Sequence, residues 1–300
     1  MKMNSTVQCE IDIKSGRLFP IVIYSCSFVI GLPLNIIAIC GLYQLRQQTG
    51  MLATYLLNLL IADLFNLVTL PLWIIYYINR MHWVFNKISC NITGFVFYCD
   101  IYVSIYFLTW TAIDRYLAIV HPLYSHGLRT KRIAIIVSVC GWLVCGSGAL
   151  IFMLLFRFRE NRWCFEMYPL FLVHAILRLI SICIGFIIPC FILCFTYGSI
   201  LRAIQRSRSL EPDEKKRIQH LLLAVGFMFI VFFSPYHITY IYRIIVVVSA
   251  DDVCYHESSV AIYFHITLAL MNLNNIFAPL LYIFVCGDIR RKLFSCCAQI

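Results

Sequence analysis

Charge is scarce in this sequence. Only 13% of its 300 residues are Asp, Glu, Lys or Arg, against about 25% in a soluble domain. With 62% apolar residues and a mean hydropathy of +0.85, the chain is read as a membrane protein. No internal repeat is visible, which argues against a transporter built from duplicated halves. A channel or transporter also needs a polar path through its helices, and only Asp63 and Asp100 stand inside apolar runs as acids. Metal-ligand spacing, an activated nucleophile and a phosphate-binding loop are all missing, which excludes a membrane enzyme. No signal peptide is evident, because the sequence is polar to Gly16 and the first apolar run is too long for an h-region. The net charge of +10 would suit nucleic acid, but basic residues flanking membrane spans on the cytoplasmic side account for it better.

What is present is a series of seven apolar runs: Leu18 to Leu45, Thr49 to Asn79, Cys90 to Ile113, Ile133 to Phe156, Leu179 to Leu201, Leu221 to Tyr242 and Ser258 to Gly287. A helix of about 20 residues crosses a bilayer, and each run is long enough. Pro33, Pro71, Pro189, Pro235 and Pro279 fall inside runs, where neighbouring helices tolerate a kink. The fold class is therefore an all-α membrane protein, a seven-helix transmembrane bundle. It comprises a tail (1–17), the bundle (18–287) and a C-terminal segment (288–300). In that last segment Ile289, Leu293 and Phe294 oppose basic residues, the pattern of a short amphipathic eighth helix on the membrane surface.

An odd number of spans puts the termini on opposite sides. With the tail outside, the cytoplasmic segments hold 14 of the 24 basic residues, a bias in the expected direction. Most of the 15 cysteines lie within apolar runs, where a thiol acts as a small hydrophobe. Cys9, Cys90, Cys164 and Cys254 instead fall in or beside loops that would all face the oxidising side. Asn4-Ser5-Thr6 is a glycosylation sequon. Cys296 and Cys297 are either palmitoylation sites or plain thiols.

The chain is organised around Cys90 to Pro122. A cysteine opens this stretch, Asp100 sits alone in its apolar interior, and Asp114-Arg115-Tyr116 closes it at the water boundary. A carboxylate in mid-membrane is costly and is a functional hypothesis by default, which applies to Asp63 and Asp100. Outside, His82, His174, His256 and His265 are expected, each either solvated or gathered against Glu166 or Asp251. An unperturbed histidine titrates at about pH 6.5, so a gathered set would sense mild acid.

Placed motifs then carry a resemblance. Gly31-Leu32-Pro33-Leu34-Asn35, Asn58-Leu59-Leu60-Ile61-Ala62-Asp63, Trp83-Val84-Phe85 before Cys90, Asp114-Arg115-Tyr116 with His121-Pro122-Leu123, Trp142, Pro189 with Tyr197, Phe233-Ser234-Pro235-Tyr236-His237 and Pro279-Leu280-Leu281-Tyr282 occur in order. The chain resembles a rhodopsin-like (class A) G-protein-coupled receptor over nearly its whole length. Thr69-Leu70-Pro71-Leu72-Trp73, Cys164-Phe165-Glu166, Tyr168-Pro169, Gly185-Phe186 and Ile200-Leu201-Arg202-Ala203 make it similar to the proton-sensing and lysolipid-linked branch. Ala278 departs from the acid or Asn usual before the seventh-helix proline. Cys145 departs from the buried Glu of proton-sensing members.

The resemblance implies a multi-pass plasma-membrane receptor with an extracellular N-terminus, coupled to a heterotrimeric G protein. Its agonist would be protons or, alternatively, an anionic lysophospholipid or fatty-acid-like ligand. Asp114, Arg115, Tyr116, Pro122, Tyr197 and Tyr282 would serve G-protein coupling, with Arg115 paired to Asp114 at rest. Lys215 occupies the usual acidic partner position in the sixth helix. Asp63, Asp100 and Ser104 would line a site for a sodium ion, with no other cofactor implied. Two carboxylates this close would share one proton or one cation, so Asp100 stands in for the charge missing at Ala278 or else hydrogen-bonds to a neighbour. Disulfides Cys90–Cys164 and Cys9–Cys254 are implied. His265 and His237 match histidines of the branch. The ligand pocket would lie among Phe97, Tyr98, Ile101, Arg178, Tyr236, His237, Tyr240, Arg243 and His265. There Arg178 and Arg243 either clamp an anionic head group or snorkel to the surface.

Overall fold

The computed structural model describes Cys9 and residues 16–45, 51–125, 127–155, 163–166, 168–206 and 211–285. Among these residues there is no strand, and seven helices are long and apolar enough to cross a membrane. They are α1 (Leu18–Tyr43), α2 (Met51–Ile78), α3 (Lys87–Val120), α4 (Lys131–Leu154), α5 (Leu172–Arg206), α6 (Ile218–Ser249) and α7 (Val253–Leu280). Helices are forced here because the bilayer offers no partner to a backbone N–H or C=O. Large apolar side chains such as Val22, Val68, Ile151, Phe191 and Ile230 point outward, as a lipid solvent requires.

The most enclosed helix is α3. Its most apolar stretch is 72% buried, against 28% for α1, α4 and α5. Asp100, Ser104 and Asp114 therefore sit inside the bundle on a helix with neighbours on every side.

The prolines shape the helices. A wider π turn precedes each of Pro33, Pro189 and Pro235, at Ser27–Gly31, Cys183–Ile187 and Phe229–Phe233. Proline has no N–H, and its ring crowds the carbonyl four residues back, so the preceding turn opens. The seventh helix is interrupted at Asn272 and Leu273, between Val253–Met271 and Asn274–Val285.

Helix ends correct the sequence reading. The third helix begins at Lys87 rather than Cys90, because the Asn86 side chain accepts from the Ser89 N–H at 2.8 Å and caps it. The fifth begins at Leu172, seven residues before the expected Leu179, which brings His174 and Arg178 onto the helix. The seventh begins at Val253 rather than Ser258, capped by Asp252 accepting from Tyr255 N–H at 3.0 Å. Hydropathy marks only the part of a helix that lies in hydrocarbon, and the first turns of α3 and α7 extend beyond it; in α5 the apolar run continues upstream of Arg178, whose charge marked a false boundary. Asn4, Cys296, Cys297 and the segment 288–300 lie outside the described residues. Tyr282 falls within the last helix, but its side chain is outside the description.

Candidate functional site

Three polar centres are stacked along the bundle. At one end, both expected disulfides are formed, Cys90–Cys164 and Cys9–Cys254. The first pins the α4–α5 loop onto α3. The adjacent Phe165 adopts a left-handed backbone, φ 60°, a costly conformation for a bulky residue. Its ring lies so close over Gly94 that no side chain fits there. This twist turns the next residue, Glu166, down into the bundle.

Glu166 is buried. Its Oε2 lies 3.6 Å from Nε2 of His265 in α7. Nδ1 of His265 meets the Tyr77 hydroxyl of α2 at 2.8 Å, and Nε2 meets the Tyr168 hydroxyl of the loop at 3.0 Å. Tyr168 is covered in turn by Cys9 and Trp163. Burial pushes the Glu166 carboxyl up to about 8, with Tyr76 and the Arg243 charge pulling the other way. Burial, reinforced by Glu166, likewise raises the Tyr168 phenol well above its ordinary range.

Beside this junction, Arg243 of α6 is paired with Glu257 of α7, Nε to Oε2 at 2.8 Å, with both side chains almost fully enclosed. The guanidinium also covers Tyr168 (4.8 Å) and Phe264 (4.7 Å). Arg178 is equally buried, between the rings of Phe152 (3.7 Å) and Tyr98 (4.1 Å). Neither arginine reaches the surface, which overturns the snorkelling alternative. The anion-clamp alternative fails for Arg243, whose charge is met within the protein by Glu257.

The expected pocket residues Phe97, Tyr98, Ile101, Tyr236, His237 and Tyr240 are all buried and packed ring to ring, as in Tyr236–Tyr240 at 5.8 Å and Tyr98–Phe97 at 5.7 Å. His237 stacks on Phe186 at 4.0 Å. Two cavities at this end, beneath Glu166, measure about 10 Å³ each, the size of one water.

The gathered-histidine alternative is also corrected. His82 is exposed and His256 half-buried, with its ring 3.4 Å from the Tyr242 hydroxyl. His174 is buried against Phe152 and Phe171. Of the four, His265 approaches Glu166 directly, and His174 borders the same small cavity as Glu166. Asp251 is exposed.

The second centre lies mid-bundle. Asp63 and Asp100 are buried. Ser104 donates to Asp63 at 3.4 Å, and Asn66 donates to Asp100 at 2.8 Å and to the Asn272 side chain at 3.0 Å. Asn35 donates to the Asn275 carbonyl at 2.7 Å. Asp63 Oδ2, Asp100 Oδ1 and both amide atoms of Asn274 are buried without a hydrogen-bond partner. Ala278 is fully buried nearby on α7, so Asp100 reaches the seventh helix through Asn66 and Asn272 rather than by direct contact with an acid.

At the far end, Arg115 is paired with Asp114, Nε to Oδ2 at 3.1 Å. Asp114 also accepts from Arg129 Nε at 2.9 Å, a second restraint the sequence reading missed. Tyr116 meets the His121 ring at 3.0 Å. Pro122 opens a one-turn helix, Pro122–Ser125. The Tyr197 hydroxyl is buried without a partner.

Glu257, Tyr77, Asn66 and Asn272 were not singled out in the sequence. A signal for Glu257 exists: Glu257, Ala261, Phe264, His265 and Leu268 are buried at helical spacing, so extending the seventh helix by one turn would have placed Glu257 on the stripe of His265.

Comparison with known proteins agrees with this geometry. The model of the 7 transmembrane receptor (rhodopsin family) matches residues 34–282. The chain is 32% identical to G-protein coupled receptor 68 of Homo sapiens over 294 residues, 97% of this chain and 80% of that protein. It is 33% identical to Probable G-protein coupled receptor 132 of Mus musculus over 290 residues, 93% and 74% of the two chains. It is also 31% identical to Lysophosphatidic acid receptor 4 of Homo sapiens over 283 residues, 91% and 75% of the two chains.

Proposed function

We infer the ligand class from one premise: the chain belongs to the rhodopsin family of seven-transmembrane receptors, and it is a G-protein-coupled receptor rather than an enzyme. The proposed agonist is the extracellular proton, taken up at Glu166 and His265, with the disulfide end of the bundle facing outside. The observation that carries this reading is Glu166, a carboxylate held by a disulfide-bonded loop in a buried aromatic box and raised by that burial to about 8.

The sign follows from linkage. Relative to an arrangement in which the loop lifts and Glu166 meets water, the packed arrangement binds the proton more tightly. Its advantage is full below the ordinary carboxyl value and is lost as pH rises through about 8. Acid therefore favours the packed outer end, which draws α2 and α7 onto the loop through Tyr77, Tyr168 and His265. One such proton changes the equilibrium at most tenfold per pH unit, about 1.4 kcal/mol.

The test is G-protein activation, cyclic AMP and inositol phosphate output in cells stepped from pH 8 to pH 6 without added lipid. The unsubstituted receptor should respond steeply. Glu166→Gln should flatten the response, and His82→Phe and His256→Phe should leave it unchanged. A Glu166→Gln response superimposable on that of the unsubstituted receptor refutes the assignment.

The relative named for lysophosphatidic acid raises a lipid as the competing ligand. One feature weighs against it: Arg243 is already neutralised by Glu257. A cavity of about 1030 Å³ is lined by Tyr197, Phe227 and Phe277 rather than by either arginine.

The mid-bundle centre is proposed as the relay. Its unpartnered oxygens on Asp63, Asp100 and Asn274, with Ser104, suit a hard cation such as sodium. The same two carboxylates alternatively share a proton. Asp100→Asn imitates the protonated side chain and keeps a partner for Asn66. It should shift the acid midpoint toward alkaline pH and remove any effect of replacing sodium by choline. An unmoved midpoint would exclude Asp100 from the relay.

Signal output is assigned to Arg115, which on activation leaves Asp114 to meet the G protein, with Tyr116, Pro122, Tyr197 and Tyr282 around it.

A further inference from the structure

We propose that the cleft around α6 at the Arg115 end of the bundle binds one glycerophospholipid with an anionic head group. The cavity of about 1030 Å³ opens there, with Tyr197 on its α5 side and Phe277 on its α7 side. Tyr197 fixes its depth in the bundle, since that residue packs in one cluster with Tyr116, Ile200 and Leu222. The cleft exists because α6 carries small residues at this level. A Cβ on Gly226 would meet nothing but the Tyr197 ring, at 3.5 Å.

Length, apolarity and charge select the occupant. On α6 the lining runs from Gln219 to Ile230, about 16 Å at the ordinary helical rise. Half of a hydrocarbon core of about 30 Å is about 15 Å, so the cleft spans one leaflet. From Leu221 to Ile230 the helix carries no polar side chain, and Leu223, Phe227 and Ile230 are exposed beside the cleft. Water does not fill such a space, whereas an acyl chain does.

The water end is different. Gln219 and His220 close the lining there, and both can donate a hydrogen bond to a phosphate or ester oxygen. Lys216, one turn before His220, and Arg202, next to Leu201, are exposed. No acid lines the cleft, and Glu211 and Asp213 lie farther back, at the start of the helix that runs into α6. Two cations beyond a groove of acyl-chain length attract an anionic head group and give a neutral sterol hydroxyl nothing to match.

A lodged chain would brace α6 between α5 and α7 at the end assigned to G-protein contact. With the disulfide end outside, that end meets the inner leaflet, where anionic lipids gather. The site takes only this orientation from the proposed function. It requires no titration of Glu166 or His265, and binding in a detergent micelle tests it independently of orientation.

The experiment is thermal unfolding of the full chain in detergent at pH 7.5. It is titrated separately with dioleoyl phosphatidylserine, dioleoyl phosphatidylcholine, cholesterol and glycerophosphoserine, which is the head group without chains. Phosphatidylserine should give a saturable rise in Tm of roughly 2–4 °C, and the other three little or none. Arg202→Gln combined with Lys216→Gln, both at exposed positions, should reduce the phosphatidylserine rise to that of phosphatidylcholine. Gly226→Leu, which fills the cleft, should abolish the rise. Leu223→Trp, at a position 70% exposed, narrows the cleft from the lipid side without entering the core and should weaken the rise even if Gly226→Leu fails to fold. No rise with phosphatidylserine, or an equal rise with phosphatidylcholine, would overturn the proposal. A rise given by cholesterol alone would overturn it by making the cleft a sterol site. A rise from glycerophosphoserine, one that survives loss of Arg202 and Lys216, or one unchanged in Leu223→Trp would overturn it by placing the lipid elsewhere.

Discussion

Arg243→Ala, with Glu257 left in place, is expected to destabilise the receptor by about 3–5 kcal/mol, the range for breaking a buried ion pair from one side. Glu257 is fully buried, and its second oxygen has no partner, so the Arg243 guanidinium is its principal compensation. The same truncation uncovers Tyr168 and Phe264, on which the guanidinium lies. The double substitution Arg243→Met with Glu257→Leu should recover most of the loss, because an apolar pair of similar volume replaces a buried ion pair at little cost. Thermal unfolding in detergent and surface expression read both effects. A single-substitution cost under about 1 kcal/mol would mean that the pair behaves as an exposed one and that the sealed disulfide end described above is wrong. The double variant carries a second signature. Arg243 holds Glu166 lower than burial alone would, so its removal should move the acid midpoint to more alkaline pH in a receptor that still folds.

The sequence made the bundle legible because each span is a long apolar run, and the bilayer permits few alternatives to a helix there. Asp63, Asp100, Asp114 and Arg115 were legible for the same reason: a charge within or at the end of such a run stands out. The ends of the helices were not. Asn86 and Asp252 start α3 and α7 in polar sequence, where hydropathy carries no signal, while α5 starts after Phe171 in an apolar stretch that Arg178 interrupts. That error of one or two turns concealed the chemistry of the disulfide end. With the seventh helix begun at Ser258, Glu257 fell in a loop and Arg243 lacked its counter-ion. With the fifth begun at Leu179, Arg178 was a boundary residue free to reach water. The direction of Glu166 was illegible for a different reason. It depends on the left-handed turn at Phe165 and on the space over Gly94, and neither shows as a pattern. The disulfide pairing came from the resemblance alone, since four loop cysteines permit three connectivities.

That dependence of Glu166 on its neighbour gives the second large effect. Replacing Cys90 and Cys164 together by Ala should abolish the response between pH 8 and pH 6, as well as lowering stability. The bridge closes a sequence separation of 74 residues, for which chain entropy gives about 4 kcal/mol. The bilayer already restrains α3 and α4 in the unfolded reference, so about 2 kcal/mol, the low end of the usual range, is the expected cost. The functional loss is larger because Glu166 stands two residues from Cys164 and its buried position follows from that bridge. Once the loop lifts, the carboxyl returns toward the ordinary Glu value of about 4.3 and no longer titrates where the receptor works. Cys9 and Cys254, replaced together by Ala, should act more weakly. That bridge holds the tail over Tyr168, while His265 keeps its contact with Tyr77, so the midpoint should shift toward acid without disappearing. G-protein activation against pH, normalised to surface expression, separates the two pairs. A well-expressed receptor lacking Cys90 and Cys164 that keeps its acid midpoint would show that proton uptake does not depend on the buried position of Glu166, and would return the search to Asp63 and Asp100.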